Sequence, residues 1–355
     1  MCLSGRENID LRFVDLPYFS NAWRQTRGLF TPGQEASHAA LQPPEDGFAA
    51  EATFTMRPEE PQFGAPRSGR RFSFGTAEYR VLAQEKRSGL SAREVPDSVS
   101  IVAPSRWSAL AYERFGLPPE RIHVVPHGAD PEILHPDAEA RHRTRAALGV
   151  QNAFVYLSVG AMSPNKGLDV LLKAFARVTD TEPDAVLFLK GADALYHSKE
   201  CVREVLDDLP GRAREQVAAK LIYNGDTYSS RMMADLLRAA DVYVSPYRAE
   251  GFNLPVLEAA ACGVPVLCTG GGPTDEFTEE SFARRIRSRL SRIQVGPNDV
   301  GDCLEPDLDH LVELMREIAR ARDSGRRMGS AGAAHVAENF TWERVTDRLL
   351  AVLFG

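Results

Sequence analysis

The sequence predicts an α/β protein with parallel sheet covered by helices on both faces. Two observations carry that prediction. Short apolar runs alternate with amphipathic helical segments through the second half of the chain, the pattern of βα repeats feeding a parallel sheet. One of these repeats also carries a distinctive turn. The run Val242-Tyr243-Val244-Ser245-Pro246 leads into Glu250-Gly251-Phe252-Asn253-Leu254-Pro255-Val256-Leu257-Glu258. An apolar run, a tight turn and a helix start present free backbone N–H groups to phosphate.

The elements follow in chain order. Residues 10–16 suit a strand, and 32–69, rich in Pro, Gly, Glu and Ala, read as loops. Arg71-Phe72-Ser73-Phe74-Gly75 and Val99-Ser100-Ile101-Val102-Ala103 are strands. Residues 105–115 form a helix with Ser105 as its N-cap. Ile122-His123-Val124-Val125 is a strand, and the polar, Arg-rich stretch 136–145 reads as the approach to a domain boundary. Ala153-Phe154-Val155-Tyr156-Leu157-Ser158-Val159 is a buried strand closed by Gly160. Leu168, Leu171, Leu172, Phe175 and Val178 then recur at helical spacing. Strands at 185–189 and 220–223, a helix at 230–240, a strand at 241–245, a helix at 254–262 and a strand at 264–268 complete the alternation. Gly270-Gly271-Gly272-Pro273 closes the last of them.

Composition narrows the function. The 355 residues are enough for two domains. A formal net charge of −7 argues against a general nucleic-acid binder. No apolar run approaches the length of a membrane span, and the first residues lack the apolar core of a secretory signal. Cys2, Cys201, Cys262, Cys268 and Cys303 are scattered and odd in number, which fits reduced thiols in a cytoplasmic protein. The eight histidines show no metal-ligand spacing, so no metal is expected. A nicotinamide-dependent dehydrogenase fares poorly, because no G-x-G-x-x-G follows a strand with an acid about 20 residues on. The two acids Glu250 and Glu258, set on a phosphate-type turn, instead offer acceptors to sugar hydroxyls, and the combination points to a nucleotide-sugar.

Four ordered motifs resemble those of the retaining glycosyltransferases of family 4, also called glycosyl transferases group 1. They are Val124-Val125-Pro126-His127-Gly128-Ala129-Asp130, Val159-Gly160-Ala161-Met162-Ser163-Pro164-Asn165-Lys166-Gly167-Leu168, the E-x7-E segment continued by Ala259-Ala260-Ala261-Cys262-Gly263-Val264-Pro265-Val266, and Phe340-Thr341-Trp342-Glu343-Arg344-Val345. The resemblance implies a GT-B fold of two facing Rossmann-like domains. It divides the chain into an acceptor-side domain at 1–145, a nucleotide-sugar domain at 146–340, and a final helix at 341–355 that returns to the first domain. The strand, glycine-rich loop and helix that normally open the family are not found here, so the first domain reads as shortened.

By the same resemblance, Lys166 neutralises the departing diphosphate, Glu250 contacts hexose hydroxyls and Glu258 accepts hydrogen bonds from the ribose. Lys166 has a plain alternative, a solvated lysine, but a cation near a helix start opposes the helix dipole. Glu258 has one too: an acid in the first turns of a helix gains ~0.3–1 kcal/mol with no ligand at all. Gly160, Gly251, Phe252, Asn253 and Leu254 complete the donor-binding candidates, with Phe252 more naturally read as packing. The family usually places Arg where Ala161 stands, and Lys190, after the next strand, is the candidate replacement. Asp307-Leu308-Asp309 reads as a helix N-terminus rather than a metal site. Arg284, Arg285, Arg287, Arg289 and Arg292 allow contact with an anionic acceptor or a membrane surface, although a solvated helix face is the commoner explanation. The expectation is a cofactor-free hexosyltransferase that uses a UDP- or GDP-sugar and an unidentified glycan, lipid, protein or small-molecule acceptor. A non-catalytic nucleotide-sugar binder is the alternative.

Overall fold

The structure, a computed structural model, describes residues 3, 6, 8–14, 28–56, 69–82 and 91–355. Its core is two parallel sheets. The first contains β1 (Ala52–Thr55), β2 (Arg70–Phe74), β3 (Val99–Ala103) and β4 (Ile122–Val124), in that spatial order. The helix α1 (Pro32–Ala39) precedes β1, and α2 (Arg106–Phe115) packs on the sheet after β3. Alternation along the strands sorts side chains to two faces. Ile101 and Ala103 meet Ala109 and Tyr112 of α2, while Phe72 and Val102 face the opposite side.

The second sheet has six parallel strands in the order β10-β9-β8-β5-β6-β7. They are β5 (Phe154–Val159), β6 (Ala185–Lys190), β7 (Leu221–Asn224), β8 (Val242–Ser245), β9 (Val266–Thr269) and β10 (Ala283–Ile286). Both faces are covered. Phe154 and Tyr156 pack with α4 (Leu168–Val178), whereas Val155 and Leu157 pack with α7 (Ser230–Ala239) and α8 (Leu254–Ala261). The chain runs outward from β5 to β6 and β7, then returns to place β8 on the other side of β5. That reversal opens a crevice beyond the carboxyl ends of β5 and β8, the place where open α/β sheets bind ligands.

The expected strands and helices of residues 70–125 and 153–269 lie within a residue or two of their predicted bounds. Other expectations need correction. Within 32–69, read as loops, the structure places α1 and β1. Residues 10–14 form only an isolated bridge, Arg12 with Gln42, and 15–16 lie outside the described residues. The stretch 136–145 is largely the helix α3 (Ala138–Ala147), which belongs to the second sheet: Arg141 and Arg145 both pair with Asp241, at 2.5 and 2.9 Å. The arginine cluster is not a helix face. Arg284 and Arg285 lie on β10, and Arg289 and Arg292 on β11 (Ser288–Gln294), which pairs antiparallel with β12 (Val300–Pro306). Exposure alternates over residues 290–294 of β11 with a strand's period of two, which the arginines obscured because their spacing also suits a helix. Two helices between β6 and β7, α5 (Ser198–Asp207) and α6 (Gly211–Ala218), were not anticipated.

Three further helices, α9 (Leu308–Arg320), α10 (Arg322–Asn339) and α11 (Trp342–Phe354), end the chain. Asp307 is the N-cap of α9, accepting a hydrogen bond from the His310 amide. α11 packs Val345 and Leu353 against Phe72 and Val102 of the first sheet. The two connections between the sheets run side by side, joined by Ala129 N–H to Phe340 O at 2.8 Å and Trp342 N–H to Ala129 O at 3.1 Å. Gly128 permits this, since a Cβ there would lie 2.8 Å from the Trp342 amide nitrogen. His127, in the same crossing, is half-buried among Phe74, Phe252 and Trp342, and burial pushes its imidazole down to about 4.

Candidate functional site

The candidate site is built on the two strands that flank the crevice. β5 ends in Gly160 and a loop that closes with the 3-10 turn Pro164–Lys166. Gly167 stops that turn at φ 69°, and a Cβ there would collide with the Pro246 carbonyl. The glycine therefore lets the two loops touch, because other residues resist this conformation and none but glycine fits the space. Asn165 finishes the join: its carbonyl accepts from the Arg248 and Ala249 amides at 2.7 and 3.2 Å, and its Nδ2 donates to Ala249 O at 3.3 Å.

This join brings Lys166 and Glu250 together across 84 positions of sequence. Lys166 Nζ lies 2.8 Å from Glu250 Oε1. Both groups are largely removed from solvent, so each depends on the other. Burial acts to lower the Lys166 pKa, but the Glu250 and Glu78 carboxylates outweigh it and the net shift is upward. Glu250 is pushed up by burial, with Lys166 offsetting part of the rise.

The turn after Glu250 leads into α8. Asn253 takes a left-handed conformation, φ 75°, which asparagine tolerates better than most residues, and its Nδ2 donates to Ser245 Oγ at 2.9 Å. Leu254 and Pro255 begin the helix, so the proline sits where an amide proton would have no helical partner. Glu258 lies one turn in, partly buried, and no described residue hydrogen-bonds or ion-pairs with its carboxylate. Burial alone pushes that carboxyl up to about 7. A partly buried carboxylate without donors is suited to accept them from a ligand.

Two of the donor-binding candidates are engaged within the protein itself, Phe252 in keeping with its reading as packing. Phe252 does not face the crevice: it is buried, stacked on Phe277 at 4.7 Å and edge-on to His127 at 5.1 Å. An aromatic side chain after a tight turn can serve a ligand or a core, and here the core wins. Lys190 is buried and already bonded. Its ammonium donates to the Gly191 and Asp226 carbonyls at 2.6 and 2.5 Å and lies 4.7 Å from the Tyr228 ring centre. It shares no hydrogen-bond partner with Lys166. Gly160 adjoins Lys166, with its Cβ direction 3.7 Å from Lys166 Cγ, and its amide donates to Lys190 O.

Several residues at the site were not anticipated. Glu78, in the loop after β2, contacts Lys166 Nζ at 3.4 Å and Asn165 Nδ2 at 3.0 Å. Ser105, the N-cap of α2, and Ser108 within it both donate to the Gly251 carbonyl, at 2.5 and 3.1 Å. Glu276 accepts from the Arg106 and Trp107 amides at the start of α2, at 2.9 and 3.3 Å. Asp302 of β12 pairs with Arg80 and Arg114 of the first sheet's layer, at 3.3 and 2.7 Å. Sequence spacing carries no signal for any of these, since each contact joins residues far apart in the chain. Arg248, anchored by Asp169 through both of its terminal nitrogens at 2.6 and 3.0 Å and by Glu305 at 3.1 Å, fixes the loop that carries Glu250.

Comparison with known proteins bears on the family and the fold. Residues 153–290 match the family model described as Glycosyl transferases group 1, and they form a domain of that type. The chain is 29% identical over 299 residues to D-inositol 3-phosphate glycosyltransferase 1 of Catenulispora acidiphila, covering 81% of this chain and 66% of that protein. It is 29% identical over 264 residues to mannosylfructose-phosphate synthase of Agrobacterium fabrum, covering 73% of this chain and 53% of that protein. The chain thus spans just over half to just under two thirds of the length of these curated relatives. Among solved structures, HepE of Anabaena in complex with UDP and glucose superposes with a TM-score of 0.63 at 18% identity, over 80% of this chain and 71% of that one. The architecture is that of the GT-B glycosyltransferases.

Proposed function

We propose that this protein transfers a hexose from a nucleoside-diphosphate sugar to a hydroxyl-bearing acceptor, with retention of anomeric configuration. The observation that carries the proposal is the arrangement at the sheet's crevice. A buried Lys166–Glu250 pair lies beside the start of α8, with the unpartnered acid Glu258 one turn further along. The cation and the free amides at the helix start suit a diphosphate. Glu258 suits the two ribose hydroxyls, and Glu250 suits hydroxyls of the hexose. The UDP and glucose named for the Anabaena neighbour, and the glycosyltransferase names of the relatives, support a donor of this class.

As the bond from the anomeric carbon to the diphosphate oxygen breaks, negative charge grows on that oxygen. Lys166 and the start of α8 are fixed in advance to stabilise it, the arrangement in which electrostatics lowers a barrier most. Glu250 stabilises positive charge at the anomeric carbon. The acceptor oxygen attacks from the face the diphosphate leaves, and its proton passes to the departing phosphate. Binding of a nucleotide-sugar without transfer is the second reading, favoured by Ala161 where the family places arginine.

One pair of experiments separates the readings. Calorimetry with UDP and GDP reports nucleotide binding, and release of free nucleoside diphosphate from UDP- or GDP-hexoses reports turnover, with a panel of polyol and sugar-phosphate acceptors. Binding with turnover is expected. Binding without turnover over the whole panel favours the second reading, and neither binding nor turnover rejects both.

A further inference from the structure

We propose that Glu78 is a built-in competitor of the donor: its carboxylate occupies the position on Lys166 that the diphosphate must take, so donor binding requires the Glu78 side chain to withdraw. The inference rests on the function proposed above and adds a regulated step to it.

The geometry shows a segment laid across the donor side of the crevice, meeting the second layer at Thr76, Glu78, Tyr79 and Arg80, the last through its ion pair with Asp302. Glu78 places one oxygen on Lys166 and the other on Asn165, so both of its oxygens are taken up by the loop after β5. Two residues earlier, Thr76 covers Gly251 so closely that a Cβ on that glycine would collide with Thr76 Oγ1. One residue later, the Tyr79 carbonyl accepts the Asp302 amide at 2.7 Å. The same segment leaves β2 at Gly75, where a Cβ would collide with the Tyr112 hydroxyl, and ends at Arg80, which has φ 55°. The backbone of the segment is held to the first layer by Ala77, buried against α2, and by the Glu78 carbonyl, which accepts from Trp107 Nε1 at 2.7 Å, whereas the Glu78 carboxylate is held only by polar side-chain contacts, which exchange readily for equivalent ones.

Charge decides what can replace Glu78. Lys166 already faces two carboxylates, Glu250 at 2.8 Å and Glu78 at 3.4 Å. A diphosphate placed on the same ammonium would stand against Glu78 at near-contact range, and like charges at that separation repel strongly in a site partly shielded from water. Glu250 is held in the second sheet's own loops, whereas Glu78 comes from the other layer. The acid that yields is therefore Glu78. It acts as a threshold against weak anions: a ligand must bring enough negative charge and enough additional contacts to displace it.

The test uses calorimetry on the full chain, with UDP and GDP as diphosphates and UMP and GMP as controls that lack the second phosphate. The variants are Glu78→Gln, which keeps the shape and removes the charge, and Glu78→Gln combined with Lys166→Ala. Glu78→Gln is expected to tighten diphosphate binding by about fivefold, the upper end for a part-exposed ion pair, and to leave monophosphate binding unchanged. In the Lys166→Ala background the gain should vanish. Unchanged or weaker diphosphate binding by Glu78→Gln, with normal binding by the wild type, overturns the competitor role. So does an equal gain for mono- and diphosphates. If neither wild type nor Glu78→Gln binds any nucleotide, the function proposed above fails and the competitor role falls with it. Thermal unfolding of Glu78→Gln within a few degrees of wild type establishes that the fold is intact.

Discussion

Glu250 and Glu258 sit eight positions apart on the same loop and helix, yet their surroundings are opposite. Glu250 is held by a lysine from the neighbouring loop and faces a third charged group from the other sheet's layer. Glu258 is partly buried with no donor among the described residues, and its carboxyl is pushed up to about 7 by burial alone. Under the proposed function, the difference shows how one short segment serves two ends of a ligand. Where Lys166 supplies compensation, part of the burial cost of the charge at Glu250 is offset in the free protein, although its carboxyl still shifts upward. Where nothing supplies it, the protein carries an electrostatic cost at Glu258 that ligand hydroxyls can relieve. The first arrangement favours chemistry and the second favours binding.

The largest effect that can break this contrast is at the paired end. Lys166→Ala removes the cation expected to stabilise the leaving diphosphate, and turnover should fall by about 100- to 1,000-fold, the range seen when one preorganised electrostatic contact is deleted. Nucleoside-diphosphate affinity should change far less, because removing the cation also releases Glu78, the group that competes for the same position. Steady-state kinetics beside calorimetry checks the split. A loss confined to affinity, with turnover intact at saturating donor, would remove Lys166 from the chemistry.

A smaller effect sharpens the contrast at the unpartnered end. The Glu258 carboxyl rises from 4.5 to about 7 on folding. The unfolded chain therefore ionises first as pH rises. The cost to stability is absent below about pH 4.5, grows between 4.5 and 7, and is fully present above 7. Glu258→Gln should stabilise the protein by roughly 2 kcal/mol at pH 8, discounted for partial exposure, and by nothing at pH 4. Urea unfolding at the two pH values reads this directly. A stability gain independent of pH would mean that the carboxyl is not strained by burial.

The same shift predicts a pH dependence of binding. Ribose hydroxyls favour the ionised acid, so nucleotide affinity should rise between pH 5.5 and 8 in the wild type. In Glu258→Gln that part of the rise should be missing. The comparison with the variant removes any contribution from the nucleotide's own phosphate titration.

The sequence made the second sheet readable and left much of the rest hidden, for physical reasons. β5, β6 and β8 are apolar runs because both of their faces are buried, and α4 shows a clear helical stripe because one face meets that sheet. Lys166 and Glu250 were marked by motif, and the β5–β8 reversal explains why residues 84 positions apart touch. α1 left no such mark: none of its residues is buried, so no apolar stripe exists to read. α3 was hidden by its arginines, which look like a solvated linker but hold Asp241. Glu78 and Asp302 act by reaching from one layer to the other, and that kind of contact has no spacing to detect. Phe252 shows the converse case: it stands inside a functional motif, yet its side chain packs in the core, as its sequence reading favoured.

The most direct test of the account is the affinity of Glu258→Ala for whichever of UDP and GDP the wild type binds more tightly, measured by calorimetry at pH 8. Loss of two hydrogen bonds to an ionised acceptor predicts about a tenfold weakening or more. Affinity equal to that of the wild type, in a variant that folds normally, would contradict the assignment of Glu258 to the ribose, and with it the division of roles between the two acids.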